Sequence, residues 1–260
     1  MLDMGFIADI RRLLPLLPVR RQTLLFSATM PRDIVALSGS VLRDPVRVEV
    51  TPASSTVDRV DQRVYFVERP EKKSLLVSVL RKQADKSVLV FSRTKHGADK
   101  LAKILNRAGI RSCAIHGNKS QNARVKAMND FKSGECRVMI ATDIAARGID
   151  ISDVRYVVNF DVPAEPTDYI HRIGRTGRAG ELGWAITFVT EQDVDEFYEI
   201  EKLMDKTADI YEAGDLHVGP NPPAVDPERD PAAFKVKKKT KRGKSKSKKK
   251  LEQARRDGKR

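Results

Sequence analysis

The chain has 260 residues, 40% of them hydrophobic and 32% charged, with a formal net charge of +14. That is enough apolar content for one large domain or two modest ones, and no apolar run approaches the roughly 18 residues of a membrane helix. Cys113, Cys136 and four unclustered histidines show no metal-ligand spacing, which argues against a zinc module or a disulfide scaffold and for a cytoplasmic protein with reduced thiols.

Taken in chain order, RRLLPLLPVRR (11–21) imitates an export signal. Its apolar part spans only 13 to 19, is broken by Pro15 and Pro18, and has Asp3 and Asp9 upstream, so a short amphipathic helix is expected instead. QTLLFSAT (22–29) reads as a strand, PRDIVALSGSVLRD (31–44) as a helix, VRVEV (46–50) as a second strand and TPASSTVD (51–58) as a linker. Two strands and two helices cannot bury a parallel sheet alone, so residues 1–50 are expected to be the remnant of a larger unit.

From about residue 59 the pattern changes. VDQRVYFVE and the helix EKKSLLVSVLRKQ open a second domain, predicted over 59–210. Short β-branched runs follow: SVLVFS (87–92), RSCAIHG (111–117), RVMIAT (137–142), VRYVVNF (154–160) and GWAITFV (183–189). Between them lie helical patterns, KHGADKLAKILNRAG and QNARVKAMNDFKSG, with Gly109 and Gly134 at helix-stop positions, and then PTDYIHRI. Alternation of this kind predicts an α/β fold, a parallel sheet with helices on both faces. GPNPPAVDPERDPAAF, within 211–234, reads as a Pro-rich linker. Residues 235–260 hold 15 Lys or Arg against Glu252 and Asp257, so nearly all the excess charge lies there. Such a segment is expected to be disordered and to follow phosphates without sequence preference.

In a sheet of this kind ligands bind at the carboxyl ends of the strands. HGNKSQNAR, TDIAARGID and the SAT of 27–29 all follow predicted strands, although each alone is no more than a polar turn. HRIGRTGRAG (171–180) is sharper, with three arginines and three glycines in ten positions. Arg175 and Arg178, beside Gly174 and Gly177, suit two forked donors converging on one polyanion.

FSATMP, VLVFSRTK, IHGNKSQNARVKAMNDFKSGE, VMIATDIAARGIDI and YIHRIGRTGRAG stand in the order and spacing of the DEAD-box ATP-dependent RNA helicases, and the wording resembles their bacterial RhlE type. The resemblance covers residues 1 to about 205. It implies a RecA-like fold, two such domains closing on ATP and RNA, and the C-terminal part of that pair in this chain. By the same resemblance, Arg175 and Arg178 are the catalytic residues that reach the γ-phosphate, Arg178 being the arginine finger, and Asp150 bonds the ATP ribose. Thr94, Gly117, Gln121, Arg124 and Thr142 would meet the RNA backbone. Ser27, Thr29, Arg147 and His171 would couple the two domains.

No G-x-x-x-x-G-K-[ST] loop is present, because Gly243-Lys244-Ser245 is preceded by Lys238 where the first glycine belongs, and there is no DEAD tetrapeptide. In the family MLDMGF comes one residue after that tetrapeptide, so the chain is expected to begin just past it and to lack half of an ATP site. ATP and Mg²⁺ are then cofactors only together with the missing N-terminal half, supplied in cis or in trans, and the chain alone is expected to be inactive as an ATPase. RNA, single-stranded or duplex and without sequence specificity, is the expected partner, and a membrane is not. The alternatives are a stand-alone, non-catalytic RNA-binding module and a subunit that completes an ATP site in trans.

Overall fold

The computed structural model describes residues 7–27, 30, 32–49, 60–83, 86–147, 151, 154–177, 182–211, 218–220 and 222–223. Seven strands form one sheet: β1 (Val60–Phe66), β2 (Val88–Phe91), β3 (Ser112–Ile115), β4 (Val138–Ala141), β5 (Tyr156–Asn159), β6 (Gly183–Val189) and β7 (Asp209–Ile210). Their spatial order is β3-β4-β2-β5-β6-β1-β7 and every pair is parallel. This is a RecA-like sheet, with helices on both faces.

The helices are α1 (Ile7–Leu13), α2 (Arg32–Val41), α3 (Lys72–Lys82), α4 (Lys95–Arg107), α5 (Gln121–Lys132), α6 (Asp143–Ala146), α7 (Pro166–Ile173) and α8 (Val194–Met204). Two of them start where the sequence supplies a cap. Thr94 accepts the Gly97 N–H at 2.9 Å, and Ser120 accepts the Ala123 N–H at 3.3 Å. Gly109 and Gly134, just past α4 and α5, take φ of 78° and 80°, the left-handed conformation that ends a helix cheaply only at glycine.

The strands alternate as their composition demands. Val88 and Val90 pack toward α3 and α4, among Leu75, Leu80, Leu101 and Leu105. Leu89 and Phe91 point to the other face, with Met139, Val157 and Phe131. A third cluster joins Val64 and Ala185 to Tyr169 and Ile173 of α7 and Phe197 and Ile200 of α8. None of the three clusters draws on residues 7–49.

Two expected strands are not formed. Residues 22–27 and 45–49 belong to no strand of the sheet, and Phe26 and Val46 are each 89% exposed. Their apolar composition suits a strand, but no neighbouring strand among the described residues pairs with them, and a strand without a partner gains no ladder. The helix expected over 31–44 is real though shorter, with Ile34 and Leu37 buried. The amphipathic N-terminal helix lies at 7–13, followed by one 3₁₀ turn over Leu14–Leu16. Helices α6 and α8 and strand β7 went unread in the sequence. The Pro-rich linker has only a few described residues, and 235–260 lie outside them. No helix among the described residues is long and apolar enough to cross a membrane, and no group of three or more His, Cys, Asp or Glu among them could hold a metal ion.

Candidate functional site

Because every strand is parallel, the sheet has one carboxyl edge and one amino edge, and its order sets which loops meet. Adjacent strands β2, β3 and β4 deliver Thr94, the His116–Gln121 loop and Thr142 to the carboxyl edge. A hydrogen bond of 3.4 Å from Thr142 N–H to Ile115 O ties the last two together. Thr94, Gly117 and Gln121 are exposed; Arg124 and Thr142 are half-buried. Arg124, one turn into α5, reaches Gln121 Oε1 at 3.4 Å and keeps a buried Nε without a partner. Five residues expected to face RNA therefore share one rim.

That rim is braced from below. Asp161, just past β5, accepts Lys72 Nζ at 2.9 Å, Arg93 N–H at 2.9 Å and Ser92 Oγ at 3.2 Å. Burial alone would raise its carboxyl; the Lys72 charge and these donors outweigh burial and hold it below the usual carboxylate range. Arg93 reaches on to Val162 O at 3.0 Å and Asp193 Oδ1 at 3.1 Å. Asp99 of α4 lies 2.9 Å from Lys119 Nζ and 3.0 Å from His116 Nε2. Burial opposes its ionisation, and the close approach of Lys119 and His116 prevails, so its carboxyl too is depressed.

The arginine loop stands elsewhere. Thr176 Oγ1 donates to the carbonyl of Arg155 at 3.1 Å, immediately before β5 begins. At the first residue of β6, a Cβ added to Gly183 would lie 2.2 Å from Thr176 Oγ1 and 2.4 Å from Gly177 N. Residues 174–177 are thus pressed against the amino edge. The strands between are four residues long, about 13 Å of rise, so Arg175 is not brought to the rim that carries Thr94 and Arg124. Arg175 itself is half-buried. Arg178, Asp150 and Thr29 lie outside the described residues.

A buried polar chain runs from the carboxyl edge into the sheet. Arg172 on α7, 2% exposed, forks onto Asp143 with Nε–Oδ1 at 2.6 Å and Nη2–Oδ2 at 2.8 Å. Its Nη1 donates to Asp161 O at 2.7 Å and Asn159 Oδ1 at 3.3 Å, and its guanidinium lies 4.9 Å from the centre of the Phe91 ring. From Asn159 the chain continues through Thr187 at 3.1 Å to Tyr169, whose hydroxyl donates to Gln62 at 3.0 Å. Burial pushes the Tyr169 phenol up to about 12, so it stays a neutral donor. Arg147 hydrogen-bonds Asp168 at the start of α7, and His171 Nδ1 lies 3.6 Å from the same carboxylate. Burial would raise Asp168; the nearby His171 ring and the Arg147 charge and hydrogen bond lower it on balance. Arg147 and His171 are brought together; Ser27 is exposed on the 22–27 segment.

Arg172, Asp143 and Asp99 were not singled out in the sequence. A signal for Arg172 existed: Tyr169, Arg172 and Ile173 fall at i, i+3 and i+4, the spacing of one helix face, and all three are buried. Both cysteines are free, and the Cys113 thiol is held protonated by its hydrogen bond to Cys136 and by burial, so it is a poor nucleophile.

A family profile described as helicase conserved C-terminal domain matches residues 71–180. The DEAD-box ATP-dependent RNA helicase CshA of Geobacillus kaustophilus is 46% identical over 204 residues, which cover 78% of this chain and 43% of that protein. The chain therefore spans less than half the length of this relative. Among solved structures, S. cerevisiae Dbp5 bound to RNA and ADP BeF3 superposes with a TM-score of 0.74 at 31% identity, covering 83% of this chain and 58% of that one. The E. coli DEAD-box protein SrmB bound to the regulator of ribonuclease activity A gives a TM-score of 0.60 at 33% identity, covering 64% of this chain and 98% of that one.

Proposed function

Because the chain belongs to the DEAD-box ATP-dependent RNA helicase family, of which it carries the helicase C-terminal domain, we propose that it supplies the RNA-backbone rim and the phosphate-directed arginines of an RNA-dependent ATPase. The observation that carries this reading is the convergence of Thr94, Gly117, Gln121, Arg124 and Thr142 on one edge of the sheet, with an unpaired buried Nε on Arg124. Hydroxyls, backbone N–H groups and a guanidinium are donors that fix a phosphate-sugar chain without reading bases. RNA of any sequence, single-stranded or duplex, is the partner such a rim fits.

Arg175 and Arg178 would hold the terminal phosphate of ATP, a role for which forked donors suit; Asp150 would hold its ribose. ATP with Mg²⁺ supplies the phosphoryl group when bound. The chain's own contribution is positioning, through Thr176 and Gly183, which pin the arginine loop. An arginine finger contributes on the order of 10³–10⁵ in rate, but only to a nucleotide that a phosphate loop and a metal already hold. The 260 residues contain neither a phosphate loop nor a DEAD tetrapeptide. The polypeptide purified by itself is expected to release no phosphate from ATP, with or without RNA. Clear release that Arg178→Ala abolishes would overturn this, and would place the whole catalytic site in these residues.

One observation favours a second reading, that of a non-catalytic RNA-binding module. The three core clusters are built from positions beyond residue 59 and take nothing from 7–49. Such a sheet can fold and present its rim without a companion domain. RNA binding that survives loss of the tail but falls with Arg124→Ala and Thr142→Ala would support this module.

A further inference from the structure

The rim is assembled from two separate pieces of chain, and something must set the distance between them. Thr94 sits on the cap of α4, while Gly117, Gln121 and Arg124 belong to the loop and helix that follow β3. Three side-chain contacts join the first turns of α4 to that loop. Lys95 Nζ donates to Asn118 Oδ1 at 3.2 Å, Asp99 Oδ1 accepts Lys119 Nζ at 2.9 Å, and Asp99 Oδ2 lies 3.0 Å from His116 Nε2. The last is an ion-pair distance without hydrogen-bond alignment, since neither ring nitrogen of this buried histidine has a hydrogen-bond partner. Otherwise the stretch 116–119 has, among the described residues, only the turn bond from Lys119 N–H to His116 O at 3.0 Å.

We propose that Asp99 is a positioning residue for RNA: one carboxylate, using both oxygens, straps the His116–Lys119 loop to α4 and so fixes the spacing between Thr94 and the Gly117–Gln121 donors. The inference rests on the RNA reading of the rim. Its chemistry is specific. Both strap partners are cationic or can become so, the strap carboxylate is the sole acid on α4, and Lys119 is thereby turned toward the protein. The contact is half-exposed, 34% and 37% for Lys119 and Asp99. Exposed pairs add little to global stability, so the effect of losing this one falls on loop geometry and not on folding.

The test uses the full chain and two readouts. Without RNA, backbone amides of 116–121 should exchange about tenfold faster in Asp99→Asn than in the wild type, while amides of β4 and β5 are unchanged. With a 4-thiouridine oligonucleotide, photocrosslinks to peptides within 94–124 should fall about fivefold in Asp99→Asn, recover in Asp99→Glu, and stay constant in the basic tail, which serves as the internal reference. Lys119→Met should reproduce the loop loosening in part. Equal exchange in wild type and Asp99→Asn, or rim crosslinks undiminished by the substitution, would overturn the strap and leave the RNA reading standing. Wild-type crosslinks confined to the tail would overturn the RNA reading itself, and the role of Asp99 with it, even where the loop loosens.

Discussion

Arg172 shows how much one side chain can carry. It is the largest fully buried residue among those described and holds a bidentate grip on Asp143, one residue past Thr142. Removing it leaves Asp143 without its counter-charge and frees the Asp161 and Asn159 acceptors as well. Breaking a buried pair from one side costs about 3–5 kcal/mol, and the 28% exposure of Asp143 moves this case to about 2–3 kcal/mol. Arg172→Met should lower the urea midpoint accordingly, whereas Asp143→Asn with Arg172→Met together should lose less than the sum of the two. An unchanged midpoint for Arg172→Met would mean that solvent already screens the pair. The sequence placed Arg172 inside a basic motif, and charge patterning reads such a residue as solvated; only its phase on α7, shared with Tyr169 and Ile173, marks it as internal.

Among the elements, the strands after residue 59 were legible because burial on both faces forces unbroken apolar runs. GWAITFV coincides with β6, and VLVF and VMIA are the centres of runs read two residues longer. The same rule misread QTLLF and VRVEV. Composition sets what a segment can pair with, but not whether a partner is present. The rim was legible strand by strand, since each cluster follows a recognisable run. That the arginine loop occupies the opposite edge was not, because it depends on α7 running back along the sheet. The 7–49 segment, with Leu24, Phe26, Val46 and Val48 all more than two-thirds exposed, has little burial to protect it. Limited trypsin digestion should cut at Arg20, Arg21, Arg43 or Arg47 well before any site between 60 and 205, leaving a resistant product. Equal resistance on both sides of residue 59 would show that this segment is packed in solution.

Taken whole, the molecule joins a nearly neutral body to a tail that holds 15 of its 49 basic residues. Sequence alone assigns the tail its phosphate-tracking role, since residues 235–260 lie outside those described. With about half its cations engaged and about 0.7 counterions released per phosphate of a single strand, deleting 235–260 should flatten the slope of log K against log salt by roughly 4–6. Fluorescence anisotropy of a labelled oligonucleotide across a salt series measures it; an unchanged slope would make the tail idle in binding. Sheet order also has a consequence during synthesis. Val60 pairs with Gly183, and β7 closes the far side of β1 only at Ile210. At about 5–20 residues per second, a ribosome making this protein leaves β1 unpaired for roughly 6–25 s before its first neighbour emerges. Over that interval the apolar face and both ladder edges of the nascent β1 stay uncovered, and slow codons placed ahead of β6 would prolong their exposure.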